Sequence, residues 1–210
     1  MVKRTYQQDV AKKQHLKLTK QWVPLEKISP DMILAVVAAE DNNFTTHMGF
    51  DFEAIKEAKE FNKYNKIKRG ASTITQQTAK NVFLWPSSNF IRKGFETWFT
   101  VLIEIFWSKQ RILEVYLNSI EFGDGIYGCE AASEFFFHKH ASQLSEMEAV
   151  RLAVVLPNPI KYNVAKPTAY ILRRQAWALS QVHNWGGTLT FHENETPVGK
   201  SDNSTKSNTK

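Results

Sequence analysis

Ser29-Pro30-Asp31-Met32-Ile33-Leu34-Ala35-Val36-Val37-Ala38-Ala39-Glu40-Asp41-Asn42-Asn43 reads as a helix with both ends marked. Ser29 can cap it, Pro30 suits the first turn, and Asp31 favours the positive end of the helix dipole. Met32, Ile33, Val36 and Val37 recur at helical spacing, which assigns the helix to a core. Asn42-Asn43 is a turn signal that stops it. Glu40 falls at the end of the apolar face, near the interior. Partial desolvation there raises a carboxyl pKa and makes the group a better base. A surface Glu-Asp pair closing a helix is the plain alternative, and these residues alone leave both open.

Working outward, helical patterns dominate and strand signals are few. Helices are expected over 30–40, 51–63, 73–83, 90–107, 109–118, 130–137, 145–156 and 168–184. The 51–63 segment shows Phe52, Ile55, Ala58 and Phe61 at helical spacing, and Ser72 is the expected cap of 73–83. The 90–107 segment is rich in aromatics. Gly123-Asp124-Gly125 and Pro157-Asn158-Pro159 are turns, the former suited to a short hairpin. The fold class is therefore mostly α. Residues 1–21 form a basic lead-in, 22–187 the folded body, and 188–210 a polar tail expected to be disordered.

Composition narrows the function. The chain has 210 residues, enough for one domain with a sizeable core. The 42% hydrophobic share and six Trp exclude global disorder. The net charge of +6 is uneven: residues 1–30 hold seven Lys/Arg against two acids, and 56–69 hold six against two. Such blocks suit an anionic partner, either phosphate, nucleic acid or an acidic lipid surface. Cys129 is the lone cysteine, so no intrachain disulfide forms, which leaves the compartment open. No apolar run is long enough for a transmembrane helix, and no signal peptide is visible.

Three constellations carry chemistry. Gly70-Ala71-Ser72-Thr73-Ile74-Thr75-Gln76-Gln77-Thr78-Ala79-Lys80-Asn81 opens a helix whose first turns are nearly all polar. Thr73, Gln77 and Lys80 share a face, and helix-start N–H groups with amides and a lysine suit a phosphate-type ligand. Arg92-Lys93-Gly94-Phe95-Glu96 adds a second carboxylate, Glu96, beside cations. Taken alone, Arg92 and Glu96 make an ordinary i,i+4 pair, but paired carboxylates also serve chemistry at an anomeric carbon. Arg111-Ile112-Leu113-Glu114-Val115-Tyr116-Leu117-Asn118 reads mainly as core, with Arg111 and Glu114 bracing the site from behind. His47 is read as a structural hydrogen-bonding histidine, because no second His stands at ligand spacing.

Together these stretches resemble the family 51 peptidoglycan glycosyltransferases. The match runs from about Trp22 to Trp185. It rests on Glu40-Asp41 through His47-Met48-Gly49, the Gly70 to Asn81 run, Arg92-Lys93 to Glu96, Arg111 to Asn118, and Glu148 to Leu156-Pro157-Asn158-Pro159, in that order and spacing. The absence of a following penicillin-binding domain resembles the monofunctional members. The resemblance implies a lysozyme-like helical fold with a membrane-facing jaw. It implies inverting polymerisation of lipid II into β-1,4 glycan strands, with release of undecaprenyl pyrophosphate. Glu40 would be the general base. Lys80 and Arg92 would neutralise the pyrophosphate, and Glu96 would organise that site, with a divalent metal (Mg or Mn) as one means and no organic cofactor. Asp41, Phe44, His47, Thr73, Gln76, Gln77, Asn81 and Lys93 would contact substrate, with Ser72, Arg111, Glu114 and Asn118 behind them.

The implied partners are lipid II, the growing glycan chain, the membrane surface and other cell-wall synthases, with no nucleic acid. The implied location is the bacterial plasma (inner) membrane, with the catalytic domain on the outer or periplasmic face. Phe83, Leu84, Trp85, Phe90 and Ile91 would form the docking surface, with filling the core as the plain alternative. Family members usually carry an N-terminal transmembrane anchor. None is read here, and residues 1–21 are read as a juxtamembrane remnant. Many members also carry Arg where Ser88 stands, and Lys93 or Arg69 are the nearby cations that would replace its charge. A lysozyme-type glycoside hydrolase acting on peptidoglycan is the alternative sharing the fold and a catalytic Glu. A basic nucleic-acid-binding module is the other, and it leaves Glu40 and Glu96 unexplained.

Overall fold

Apolar residues at helical spacing give eight α-helices among the described residues: α1 (Pro30–Glu40), α2 (Phe52–Tyr64), α3 (Ile74–Phe83), α4 (Phe90–Phe106), α5 (Lys109–Ser119), α6 (Cys129–Phe137), α7 (Glu146–Ala153) and α8 (Ala169–Asn184). The computed structural model describes residues 19–65, 69–86, 89–186, 188–189, 191 and 198–199. Most of the basic lead-in, most of the polar tail and Ser88 lie outside them. The fold is mostly helical, as the sequence pattern requires.

The first helix is buried on every side. Met32 through Ala38 are all buried, not only the expected stripe. A helix apolar all round belongs at the centre of a core, and α1 packs against α7 and α8. Ser29 does not cap it. Its hydroxyl donates instead to the Leu144 carbonyl at 2.9 Å, and its N–H donates to the Ala141 carbonyl, tying the helix start to a distant loop.

A small sheet lies beside α6. β2 (Glu121–Gly123) and β3 (Ile126–Tyr127) form the expected hairpin, with an irregular register between Glu121 and Gly123. β1 (Thr19–Lys20) pairs in parallel with β3, which brings two residues of the expected lead-in into the folded body. Next to it, Asn118 is fully buried and grips Val23 twice: its Oδ1 accepts from Val23 N–H at 2.9 Å and its Nδ2 donates to Val23 O at 2.8 Å. At the other end β4 (Thr188–Leu189) pairs with β5 (Val198–Gly199), and Leu189 reaches the core.

Two helices turn their apolar residues outward. In α2 only Ala58 is buried, while Phe52, Ile55, Phe61 and Tyr64 are exposed. The stronger case is α4. Its buried residues are Glu96, Thr100 and Ile103, whereas Phe90, Ile91, Trp98, Ile105 and Phe106 stand in solvent, Phe90 with 97% of its surface exposed. An apolar period reports that one face is greasy but not what covers it.

The loop from Asp41 to Asp51 passes close over α4 at Gly49. Its φ is +80°, and a Cβ there would lie 2.8 Å from Thr100 Cγ2 and 2.9 Å from Glu104 Cγ. Both the left-handed backbone and the missing side chain are needed. Gly49→Ala is expected to lower stability by about 2–4 kcal/mol, combining backbone strain with overpacking. A denaturant melt against wild type measures it, and a shift under a few tenths of a kcal/mol would contradict the tight passage.

Candidate active site

The end of α1 is where three chain segments meet. Asp41 is buried, and its carboxylate is divided between two of them. Oδ2 accepts the Ile74 N–H at 2.9 Å, and Oδ1 meets His47 Nε2 at 2.8 Å. Ile74 opens α3, so a carboxylate sits where the helix dipole favours negative charge. Thr73 and Gln76 complete that start as a capping box: Thr73 Oγ1 accepts from Gln76 N–H at 3.2 Å, and Gln76 Oε1 accepts from Thr73 N–H at 3.0 Å. The Thr73 hydroxyl also donates to the Gly49 carbonyl at 2.7 Å. The helix start expected to receive a phosphate is thus filled by Asp41 and its own cap, and the cap is Thr73, not Ser72.

A buried ion pair fixes the loop from below. Lys109 donates to the His47 carbonyl at 2.7 Å and pairs with Glu104 at 2.9 Å, with both side chains under a tenth exposed. The Thr75 hydroxyl donates to the same Glu104 at 2.6 Å. Lys109 also lies 4.6 Å from the Phe44 ring centroid, over a side chain with no exposed surface. Phe44 and His47, expected to touch substrate, therefore shape the loop from inside. Glu104 and Lys109 were not singled out by the sequence. The signal was available, since Glu104 is an acid inside the aromatic-rich 90–107 segment.

On this frame Glu40 projects into a cleft of about 1490 Å³. Asp41, Ser72, Thr73, Gln77, Lys80, Asn81 and Arg92 also line it. Glu40 is held above the ordinary glutamate range, first because burial disfavours its charged form, with the Asp41 charge adding to the effect. Gln77, Arg174 and Lys80 oppose that rise. The Gln77 amide donates to Glu40 Oε2 at 2.8 Å, while its own carbonyl faces the hydroxyl of buried Tyr116 at 3.3 Å. Arg174 on α8 reaches the carbonyl of Ala39 at 3.3 Å and lies 4.2 Å over the Trp177 ring. Its partner Ala39 is 135 residues away in sequence.

Cations gather around Lys80. Lys80 is exposed to the cleft, and desolvation by the walls lowers its pKa, as do Arg92 and Lys93, while Glu96 and Glu40 pull it back up. Arg92 is nearly covered and donates to Glu96 Oε2 at 2.8 Å, and Lys93 takes Oε1. Glu96 is buried behind this pair and does not line the cleft. With both oxygens committed to cations, Glu96 does not fit a divalent metal. A grouping that could ligate one, Glu130, Glu134 and His140, lies on α6 and the turn after it. Of the two cations set against the missing charge at Ser88, Arg69 lines the cleft and Lys93 does not.

Arg111, Glu114 and Asn118 stand elsewhere. Arg111 pairs with Glu114 and lies 5.5 Å from the Trp22 ring, and Asn118 holds Val23. They secure the N-terminal segment and do not brace the catalytic groups.

The sequence model of the transglycosylase family matches residues 7–183. A biosynthetic peptidoglycan transglycosylase of Bacteroides thetaiotaomicron is 58% identical over 154 residues, 73% of this chain and 62% of that protein. One from Shewanella oneidensis is 53% identical over 175 residues, 83% of this chain and 75% of its own length. One from Xanthomonas campestris is 53% identical over 167 residues, 80% and 68% of the two lengths. The chain thus spans less than two thirds of the Bacteroides relative. It belongs to the transglycosylase family, the family 51 glycosyltransferases, and the hydrolase alternative falls away.

Two measurements probe the frame. Gln77→Ala removes the hydrogen bond that favours the Glu40 carboxylate, so the Glu40 titration should move to still higher pH. Carbon-detected NMR of the side-chain carboxyls reads it, and an unmoved titration would deny the Gln77 contact its role. Asp41→Ala leaves the Ile74 N–H buried and unpaired, with an expected loss of about 2–3 kcal/mol in a denaturant melt.

Proposed function

We propose that this chain polymerises lipid II into β-1,4 glycan strands; its relatives are named biosynthetic peptidoglycan transglycosylases. The observation that carries the reading is a single cleft holding a proton-hungry carboxylate, Glu40, and a separate group of cations, Lys80, Arg92 and Arg69. An inverting transfer needs both. The 4-hydroxyl oxygen of the acceptor GlcNAc bonds to the anomeric carbon of the donor, and its proton passes to Glu40. The bond from that carbon to the phosphate oxygen breaks, and its electron pair leaves with the undecaprenyl pyrophosphate. Lys80 and Arg92 stabilise the charge that develops there. Glu96 positions Arg92, and the counter-charge role imagined for a metal at Glu96 is met by Arg92 and Lys93. The Gln77 amide favours the ionised form of Glu40, the form a base requires. Asn81 and Ser72 are among the polar groups that line the cleft and could meet sugar or phosphate oxygens.

Membrane attachment is part of the same reading. No helix among the described residues is long and apolar enough to cross a membrane. The outward face of α4, joined by exposed Phe83 and Trp85, offers an aromatic ridge of the kind that lies in a bilayer interface. Trp85 and Phe95 pack edge to face at 5.9 Å, and Phe83 stacks on Phe99 at 4.8 Å, so the ridge is continuous. The location that follows is the outer or periplasmic face of the plasma membrane, where other cell-wall synthases would meet this chain.

Polymerisation of fluorescent lipid II in detergent tests the reaction. Wild type should give glycan ladders. Glu40→Gln should lose about 100-fold to 10,000-fold in rate, the range for a general base. Comparable rates would remove Glu40 from the chemistry. For attachment, Phe90→Ser with Trp98→Ser should release the protein from anionic vesicles in co-sedimentation. Undiminished binding would place the contact elsewhere.

A further inference from the structure

Helix α8 has two distinct flanks. Ile171, Gln175, Ala178 and Val182 take the buried side. Tyr170, Arg174 and Trp177 recur at i, i+4 and i+7 on another, and all three line the cleft that holds Glu40. Holding the helix in place needs only the buried side. Tyr170 nevertheless keeps 49% of its surface exposed and Trp177 38%, large aromatic areas to leave wet beside a site. Both rings are braced. Arg174 lies 4.2 Å over Trp177, and the Tyr162 ring lies 5.6 Å from that of Tyr170 with a 32° tilt. Arg174 also bonds the carbonyl of Ala39, the residue before Glu40, so the strip is tied to the base.

The cleft's cations and the α8 rings come from different elements, within a lining that also holds Glu53, Glu57 and Trp85. Lys80 and Arg92 come from α3 and α4, and Arg69 from the segment before α3. The α8 flank presents aromatic faces, and its one cation is already stacked. A ligand matching both parts has an anionic end and a run of neutral rings with apolar faces and hydroxyl edges. Pyranose rings have that form, and Tyr and Trp, with an apolar body and a polar edge, are the side chains that fit it. Rings already braced lose little freedom on binding.

We infer that Tyr170 and Trp177 form a sugar-stacking subsite for an N-acetylated β-1,4 glycan, adjoining Glu40. The inference rests on the transferase reading of the cleft. It adds a specificity element on α8, an element other than those that supply Lys80, Arg92 and Arg69.

Binding without turnover tests it. Soluble β-1,4 N-acetylglucosamine tetramer is titrated into the full chain and followed by calorimetry and by the Trp indole N–H signals. Wild type should bind, with the Trp177 indole signal among those that move. Trp177→Ala and Tyr170→Ala should each weaken binding by about tenfold, the scale of a lost ring-stacking contact. Trp177→Phe should keep most of it. Tyr170→Ala changes a half-exposed position, so it decides the matter if Trp177→Ala does not fold. No binding by wild type, or equal binding by wild type and Tyr170→Ala, overturns the subsite even where wild type polymerises lipid II. Tetramer binding lost in the variants while wild type makes no polymer upholds the subsite and removes the transferase reading instead.

Discussion

The Asp41 carboxylate is the interaction on which the site depends. One oxygen closes the start of α3 and the other holds His47. Removing it would open two contacts at once, leaving the Thr73 hydroxyl on the Gly49 carbonyl and the Gln77 amide on Glu40 to hold the loop and α1 against α3. A buried carboxylate is tolerated only when its oxygens are satisfied. Here both are, one by a backbone N–H at the positive end of a helix. The neighbouring Glu104 and Lys109 pair pins the same loop from beneath, through the His47 carbonyl. Two buried polar devices thus fix where α1 stops, and with it where Glu40 points.

Adjacent carboxylates receive opposite treatment. Asp41 is engaged on both oxygens by structure. Glu40, one residue earlier, is desolvated and contacted by an amide donor, so it is drawn toward the neutral form yet can still ionise. Asp41 is thereby committed to architecture, which leaves Glu40 as the carboxyl open to the cleft and available for the proposed proton transfer. The division needs no difference in residue type. It follows from the helix ending between them.

The helices were legible because their signals are local. Pro30, the apolar repeat after it and the Asn42-Asn43 stop place α1 without reference to anything distant. The Thr73 cap was equally local, since Gln76 stands three residues on, the capping-box spacing; the adjacent Ser72 hydroxyl obscured it. Thr73, Gln76, Phe44 and His47 were assigned to substrate because polar or aromatic residues near a candidate base look functional in one dimension. Packing turns Phe44, Gln76 and His47 inward, while Thr73 is held in its cap at the edge of the cleft. Arg174 was beyond reach in another way. Its contact with Ala39 spans the chain, and no spacing rule connects the two. For α2 and α4 the apolar period was real, but periodicity does not say whether protein, lipid or water covers a face.

The reversed α4 also works as a gauge of height. Phe90 and Ile91 point outward from the first turn of this 17-residue helix, and Arg92 follows them on the cleft side. A surface that takes up the two apolar side chains therefore meets Arg92, the cation proposed for the phosphates, within about one helical turn, ~5 Å along the axis. Phosphates of a polyprenyl-linked sugar lie at the headgroup level of a bilayer. A rigid helix that sets ridge and cation at that separation would let the lipid stay in the membrane while its sugars enter the cleft. No part of the protein would have to reach down for them.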